Sequence, residues 1–163
     1  MAKNTVKLDR LVIRILSHLQ RDSRLAVADL ASEVGLSTSA CWRRVKQLED
    51  AGVIEQRVTI LNEQSLGVDF IVIAAVKLTV PHTDTMRDFE KTILSWPEVL
   101  DCYTITGDAD YILKIVTTDI HAYDDFLRSK LLALGSVSEV RSRIVVAKVK
   151  SSTVLPLELV QTS

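Results

Sequence analysis

Leu8, Leu11, Val12, Ile15, Leu16 and Leu19 recur at spacings of three and one, which places them on one stripe of a helix with Arg10, Arg14, Ser17 and Arg21 facing away. A polar break at Arg21–Arg24 precedes a second, shorter helical pattern, Val27, Leu30, Ala31 and Val34, stopped by Gly35 in the position of a C-terminal cap. Ser37 then supplies an N-cap for a third helix whose buried stripe is Cys41, Val45 and Leu48, ending before Gly52. Val53–Leu61 reads as a strand or small hairpin, and the polar, turn-rich stretch 62–67 reads as a linker.

From Val68 the rhythm changes to strand, helix, strand, strand, helix, strand. The strands are predicted over Val68–Val80, Val99–Thr106, Asp110–Thr118 and Arg141–Lys150, and the helices over Thr83–Ser95 and Asp119–Leu134. This order is that of the ferredoxin-like βαββαβ unit, with both helices on one face of an antiparallel sheet. Phe70–Val76 and Ile144–Ala147 are apolar at successive rather than alternate positions, which predicts burial on both faces. Two helices cover only one face, so the other calls for a second copy of the chain. The organisation is α+β: a helix-turn-helix domain over 1–61, a linker over 62–67, a ferredoxin-like domain over 68–150 and a tail over 151–163. Leu155, Leu157, Leu159 and Val160 give that tail the means either to pack on a neighbouring subunit or to fray.

The composition fits this division. The 163 residues are 47% hydrophobic with five Gly and three Pro, enough to bury a core and not the profile of a disordered chain. The net charge of −1 conceals an asymmetry: residues 1–60 hold ten basic and seven acidic side chains, whereas residues 61–163 hold ten and fourteen. Two distant cysteines without a CxxC spacing, and three scattered histidines, argue against a metal centre or a disulfide framework. The absence of a leader-like apolar run at the N-terminus, and of any apolar run long enough to cross a bilayer, leads to the expectation of a cytoplasmic chain.

The third helix carries the first candidate chemistry. With Cys41, Val45 and Leu48 turned inward, Ser39, Arg43 and Lys46 project outward and Trp42 and Arg44 lie on the flanks. A basic helix preceded by a short helix and a tight Gly-Leu-Ser turn is the arrangement in which the second helix of a pair enters the major groove. Arg43, Arg44 and Lys46 suit guanine edges or phosphates, and Ser37, Thr38 and Ser39 can donate to phosphates beside the helix N-terminus. Trp42 suits either packing on a neighbouring helix or stacking on the sugar-phosphate backbone, and Arg44 equally suits an intramolecular ion pair.

Leu8-Asp9, Ile15-Leu16, Leu30-Ala31, Val34-Gly35-Leu36-Ser37, Arg44-Val45, Leu48-Glu49 and Gly52-Val53-Ile54 resemble the winged-helix head of the Lrp/AsnC family of regulators. In the second half, Pro97-Glu98-Val99 with Cys102, and Thr106-Gly107-Asp108-Ala109-Asp110-Tyr111, resemble the same family, the last its Gly-Asp-x-Asp-Tyr signature. Cys41-Trp42-Arg43-Arg44 and Leu155-Pro156-Leu157 are similar to a subgroup that includes a cysteine-responsive member. The resemblance runs from about Lys7 to Lys150. It implies a transcriptional regulator that binds double-stranded operator DNA, pairs into homodimers that build tetramers or octamers on the nucleoid, takes a small amino acid as effector and needs no cofactor.

The effector site it implies centres on the turn Thr106-Gly107-Asp108, where glycine lets backbone N–H groups approach a carboxylate and Asp108 can attract an ammonium. The same Gly-Asp-x-Asp run is also ordinary hairpin-turn chemistry. Tyr103 and Ile105 precede the turn, Asp110 follows it, and Ser136 and Ser142 would come from an adjacent loop and strand, of the same or of a neighbouring subunit. The chain departs from the family pattern at Leu134-Gly135-Ser136-Val137, where Leu-Pro-Gly-Val is usual, at Ser142, where threonine is common, and at Val12, where an aspartate often sits. Catalysis finds no support, because neither a nucleophile with its base nor a nucleotide loop can be assembled. The rival readings are a ligand-independent architectural protein that wraps DNA and an amino-acid sensor whose head has lost DNA binding.

Overall fold

The computed structural model describes residues 7–161, in two compact units. One comprises the residues up to Ile60 together with those from Lys150 onward, and the other Leu61–Val149.

The first unit is built on three helices, α1 (Arg10–Leu19), α2 (Val27–Val34) and α3 (Thr38–Asp50). Asp9 caps α1 by accepting the Val12 N–H at 2.8 Å, and Ser37 caps α3 by accepting the Ala40 N–H at 3.3 Å. Gly35 closes α2 at φ 72°, a conformation that a side chain would strain, and turns the chain directly into α3. The predicted stripes meet in one core of Val12, Ile15, Leu19, Leu30, Ala31, Val34, Cys41, Val45 and Leu48. Burying each of the larger of these side chains contributes about 1.5–3 kcal/mol.

The predicted strand or hairpin over Val53–Leu61 does not form: after α3 the chain runs without regular structure to Leu61. Val58, Ile60 and Leu61 are exposed, and a strand-like apolar pattern has nothing to pair with where no neighbouring strand exists in its own chain. The tail belongs to this unit. It lies along α1 and contains a single 3₁₀ turn, Leu157–Leu159.

The second unit opens with α4 (Glu63–Leu66), so the stretch predicted as a linker contains one helical turn. Asn62 caps it through the Ser65 N–H at 2.9 Å. The remaining elements are β1 (Phe70–Leu78), α5 (Thr83–Ile93), β2 (Val99–Thr104), β3 (Tyr111–Thr117), α6 (Ile120–Phe126) and β4 (Val137–Ile144). α6 is prolonged by a π-helical turn, Leu127–Leu131. The antiparallel sheet has the order β2-β3-β1-β4, as the βαββαβ reading requires.

Val72, Ala74 and Val76 on β1 and Tyr111, Leu113 and Ile115 on β3 face Phe89 and Ile93 of α5 and Tyr123 and Phe126 of α6 in the core. On the opposite face β1 carries Ile71 and Ala75, both buried, and Ile73, half-buried, so burial on both sides holds for this central strand. It fails for Ile144–Ala147. β4 forms earlier than predicted, because its partner β1 supplies hydrogen bonds only as far as Ile71, whose carbonyl accepts the Val145 N–H at 2.9 Å. Beyond that point Val146 is 99% exposed.

Candidate functional site

In the head, the helical spacing of α3 buries Cys41, Val45 and Leu48 and leaves Ser37, Thr38, Ser39, Trp42, Arg43 and Lys46 at the surface. Trp42 is 58% exposed, so more than half of its surface is left uncovered by the head's own helices. Arg43 has no carboxylate partner among the described residues, whereas Lys46 pairs with Asp50 one turn on, at 3.0 Å. That exposed pair opens readily to a competing anion. Arg44 is different: half-buried, it donates to Asp9 at 3.0 Å, so its guanidinium is committed within the head. Gln47, which the charge pattern passes over, is exposed one turn beyond Arg43 on the same face.

In the second unit, β2 and β3 are joined by a turn closed by the Ile105 N–H on the Asp110 carbonyl at 2.9 Å. Gly107 sits at φ 125°, a value side chains rarely adopt, and leaves Thr106 and Asp108 exposed at the tip. Asp108 accepts from Arg141 of β4 at 2.9 Å, and Glu139 grips the same guanidinium at 2.6 Å. These two carboxylates, Glu139 foremost, hold Arg141 firmly protonated. The group lines a cavity of about 170 Å³ on the sheet face away from the helices. Lys77 and Arg143 add positive charge, and Ala75, Ile105, Ala109 and Ile112 provide apolar surface.

The other predicted members are placed elsewhere. Asp110 accepts the Leu78 N–H at 2.7 Å, which pins β1 to the turn. Tyr103 donates to Asp101 along β2 at 3.3 Å and does not line the cavity. Ser142, opposite core residue Ala74, lies on the helix-covered face and shares a 2.5 Å hydrogen bond with Tyr123. Ser136 precedes β4, where its carbonyl accepts the Thr79 N–H at 2.8 Å. The alternation along β4 explains the divergence: odd-numbered Glu139, Arg141 and Arg143 share the cavity's face, even-numbered Val140 and Ser142 the core's. That period-two pattern of charge was present in the sequence and puts Arg141 on the cavity's face.

A three-helix head with an exposed basic helix, attached to a ferredoxin-like sheet with a charged cavity, defines a DNA-binding regulator with a ligand-binding domain. A family model described as winged helix-turn-helix DNA-binding matches residues 8–55, and one described as the Lrp/AsnC ligand binding domain matches residues 71–155. The chain belongs to the Lrp/AsnC family of transcriptional regulators. It is 35% identical over 153 residues to the transcriptional regulator AzlB of Bacillus subtilis, covering 94% of this chain and 98% of that protein. It is 37% identical over 151 residues to the glutamate uptake regulatory protein of Zymomonas mobilis, covering 93% and 92%. Among solved structures, a transcriptional regulator of Neisseria meningitidis in complex with L-Met superposes with a TM-score of 0.88 at 37% identity, covering 92% of this chain and 97% of that one. Among the described residues no helix is long and apolar enough to cross a membrane.

Proposed function

We propose that this regulator senses a small free amino acid, bound as a zwitterion at the Asp108–Arg141 pair, and that it has no catalytic activity. The observation that carries the reading is that pair itself, set beside the Gly107 turn over the 170 Å³ cavity. A zwitterion matches it charge for charge: its carboxylate takes the Arg141 guanidinium and its ammonium takes the Asp108 carboxylate thereby released, so one exposed ion pair is exchanged for two. The cavity is below the roughly 300–1,000 Å³ of sites for drug-sized ligands, and its walls suit a short side chain. The L-Met complex of the Neisseria regulator supports the same ligand class.

On the head, Ser37, Thr38 and Ser39 hold phosphates, Arg43 and Lys46 reach base edges or phosphates, and Trp42 stacks on the backbone. Arg44 acts through Asp9 by positioning the helix. The sheet face bearing Ile71, Ile73 and Ala75 joins a second copy of the chain, giving dimers that build tetramers or octamers in the cytoplasm, on the nucleoid. The ligand acts by binding two states of that assembly unequally, and a coupling of about 1–3 kcal/mol changes DNA affinity roughly 5- to 150-fold. The test is calorimetry of the wild-type protein against all twenty amino acids, cysteine and methionine included, repeated with Arg141→Gln. Saturable heat with at least one amino acid, lost in the variant, is the expected result. No heat with any of them defeats the sensor reading in favour of ligand-independent DNA wrapping.

A further inference from the structure

The C-terminal tail makes a specific set of contacts with the head. The side-chain amide of Gln20, at the C-terminal end of α1, donates to the Leu155 carbonyl at 3.1 Å and accepts the Leu155 N–H at 3.0 Å. A single amide thus pairs with both polar groups of one residue, as a neighbouring strand would. Pro156 follows, and Leu155 with half-buried Leu157 and Val160 forms one side of a cavity of about 630 Å³ that remains between the tail and the head. The head supplies the other two walls: Leu8 with Ile13, Leu16 and Leu19 of α1, and the chain that leaves α3, through Val53, Ile54 and Arg57.

Both of these walls are tied to the recognition helix. On the α1 side Asp9 binds Arg44, and on the other side Arg57 binds Glu49 at 3.1 Å while reaching the Ser23 carbonyl at 3.4 Å. The geometry points to the tail as a detachable brace of the DNA-binding head: residues 154–160 dock on the head through Gln20, close the cavity that its two walls border and fix the angle at which α3 is presented. The cavity is lined by the tail, α1 and residues 53–57, and the exposed residues of α3 are not among its lining. A docked tail therefore leaves Ser39, Arg43 and Lys46 open to DNA. Its effect falls on alignment with base edges, which is demanding, more than on phosphate attraction, which tolerates misalignment. This inference does not rest on the amino-acid reading above.

The experiment compares the full chain with Gln20→Met, which removes both amide bonds at similar volume, and with a version ended at Lys150. Each is followed by peptide-level hydrogen exchange and by equilibrium binding to two duplexes, one selected from random DNA by the full chain and one of arbitrary sequence. Both variants should show faster exchange in α1 and residues 53–57 with unchanged exchange in β1 and β3. Affinity for the selected duplex should fall by about 5- to 30-fold, with affinity for the arbitrary duplex unchanged. A synthetic peptide of residues 150–163 should restore both readouts to the shortened protein. Unchanged exchange in α1 of Gln20→Met, or equal losses on the two duplexes, overturns the proposal. If the shortened protein has an unfolded head, the tail is core and not a brace, and the proposal is overturned in that way.

Discussion

Asp9 binds two helices at once: one carboxylate oxygen accepts the Val12 N–H at 2.8 Å, and the other receives the Arg44 guanidinium at 3.0 Å. The first bond starts α1 and the second reaches across to the recognition helix, so one side chain sets both the beginning of the head and the orientation of its DNA-facing element. Asp9→Ala removes both and should destabilise the head by about 1–2 kcal/mol, read as a lower denaturant midpoint. Asp9→Asn keeps the cap and should lose less.

The same residue gives a pH dependence. The Val12 N–H and then the Arg44 guanidinium hold the Asp9 carboxyl below its ordinary range. At acid pH the unfolded chain therefore binds this proton first, and the contribution to stability is complete above about pH 4 and lost as pH falls through the folded value. Solvent screening of this half-exposed pair keeps the effect small. Urea unfolding from pH 3 to pH 7 should show a shallower acid decline in Asp9→Asn than in the wild type.

Trp42 and Arg43 should be separable from the fold. Because Trp42 is exposed, Trp42→Ala should change stability by no more than about 0.5 kcal/mol, where a buried aromatic would cost about 3–5 kcal/mol. It should still weaken DNA binding in a fluorescence-anisotropy titration. Arg43→Ala should cost about 1–3 kcal/mol of affinity at a selected site if it reads a base edge, and should instead lower the salt slope by about one if it holds a phosphate.

Two polar residues of the sheet unit should affect stability without affecting ligand. Ser142→Ala breaks the bond to Tyr123, and should cost about 1 kcal/mol. Asp110→Ala strands the Leu78 N–H, and should cost about 1–3 kcal/mol. Neither should alter the heat of amino-acid binding, in contrast to Arg141→Gln. A lost ligand response in a well-folded Ser142→Ala protein would place the effector on the opposite face of the sheet.

Self-association can be tested on the face of β1 turned away from the helices. Ile73 is half-buried there beside Ile71 and Ala75. Ile73→Asp should leave circular dichroism unchanged and shift the light-scattering mass toward the monomer. A mass equal to that of the wild type would assign the interface elsewhere.

The helices of the head were legible because each rule of helix formation has a local signature: a stripe for burial, Ser37 for the start of α3 and Gly35 for the end of α2. The strand order was legible for the same reason. Val53–Leu61 was misread because apolar residues state a preference for extended chain without supplying a partner. The boundaries of β4 depend on where β1 ends, which is a property of pairing and not of residues 137–150 themselves. The charged cluster around the cavity was half legible. Gly107 and Asp108 stand out as a turn, but Arg141 joins them only through the register across β1, and the residue singled out beside it, Ser142, points to the other face. Gln20 and Leu155 meet over an interval that no local pattern bridges.

The seat of the tail also bears on how the head is made. α1, α2 and α3 leave the ribosome first, but Leu155 follows only after the whole of Leu61–Val149 has been synthesised. At roughly 5–20 residues per second, this side of α1 is without its tail for about 5–20 s. During that interval Leu16, Leu19 and Ile54 face no tail, and the nascent protein offers an apolar surface that the finished one partly covers. The head is thus begun first and completed last, and its completion waits on synthesis of the ligand-binding unit.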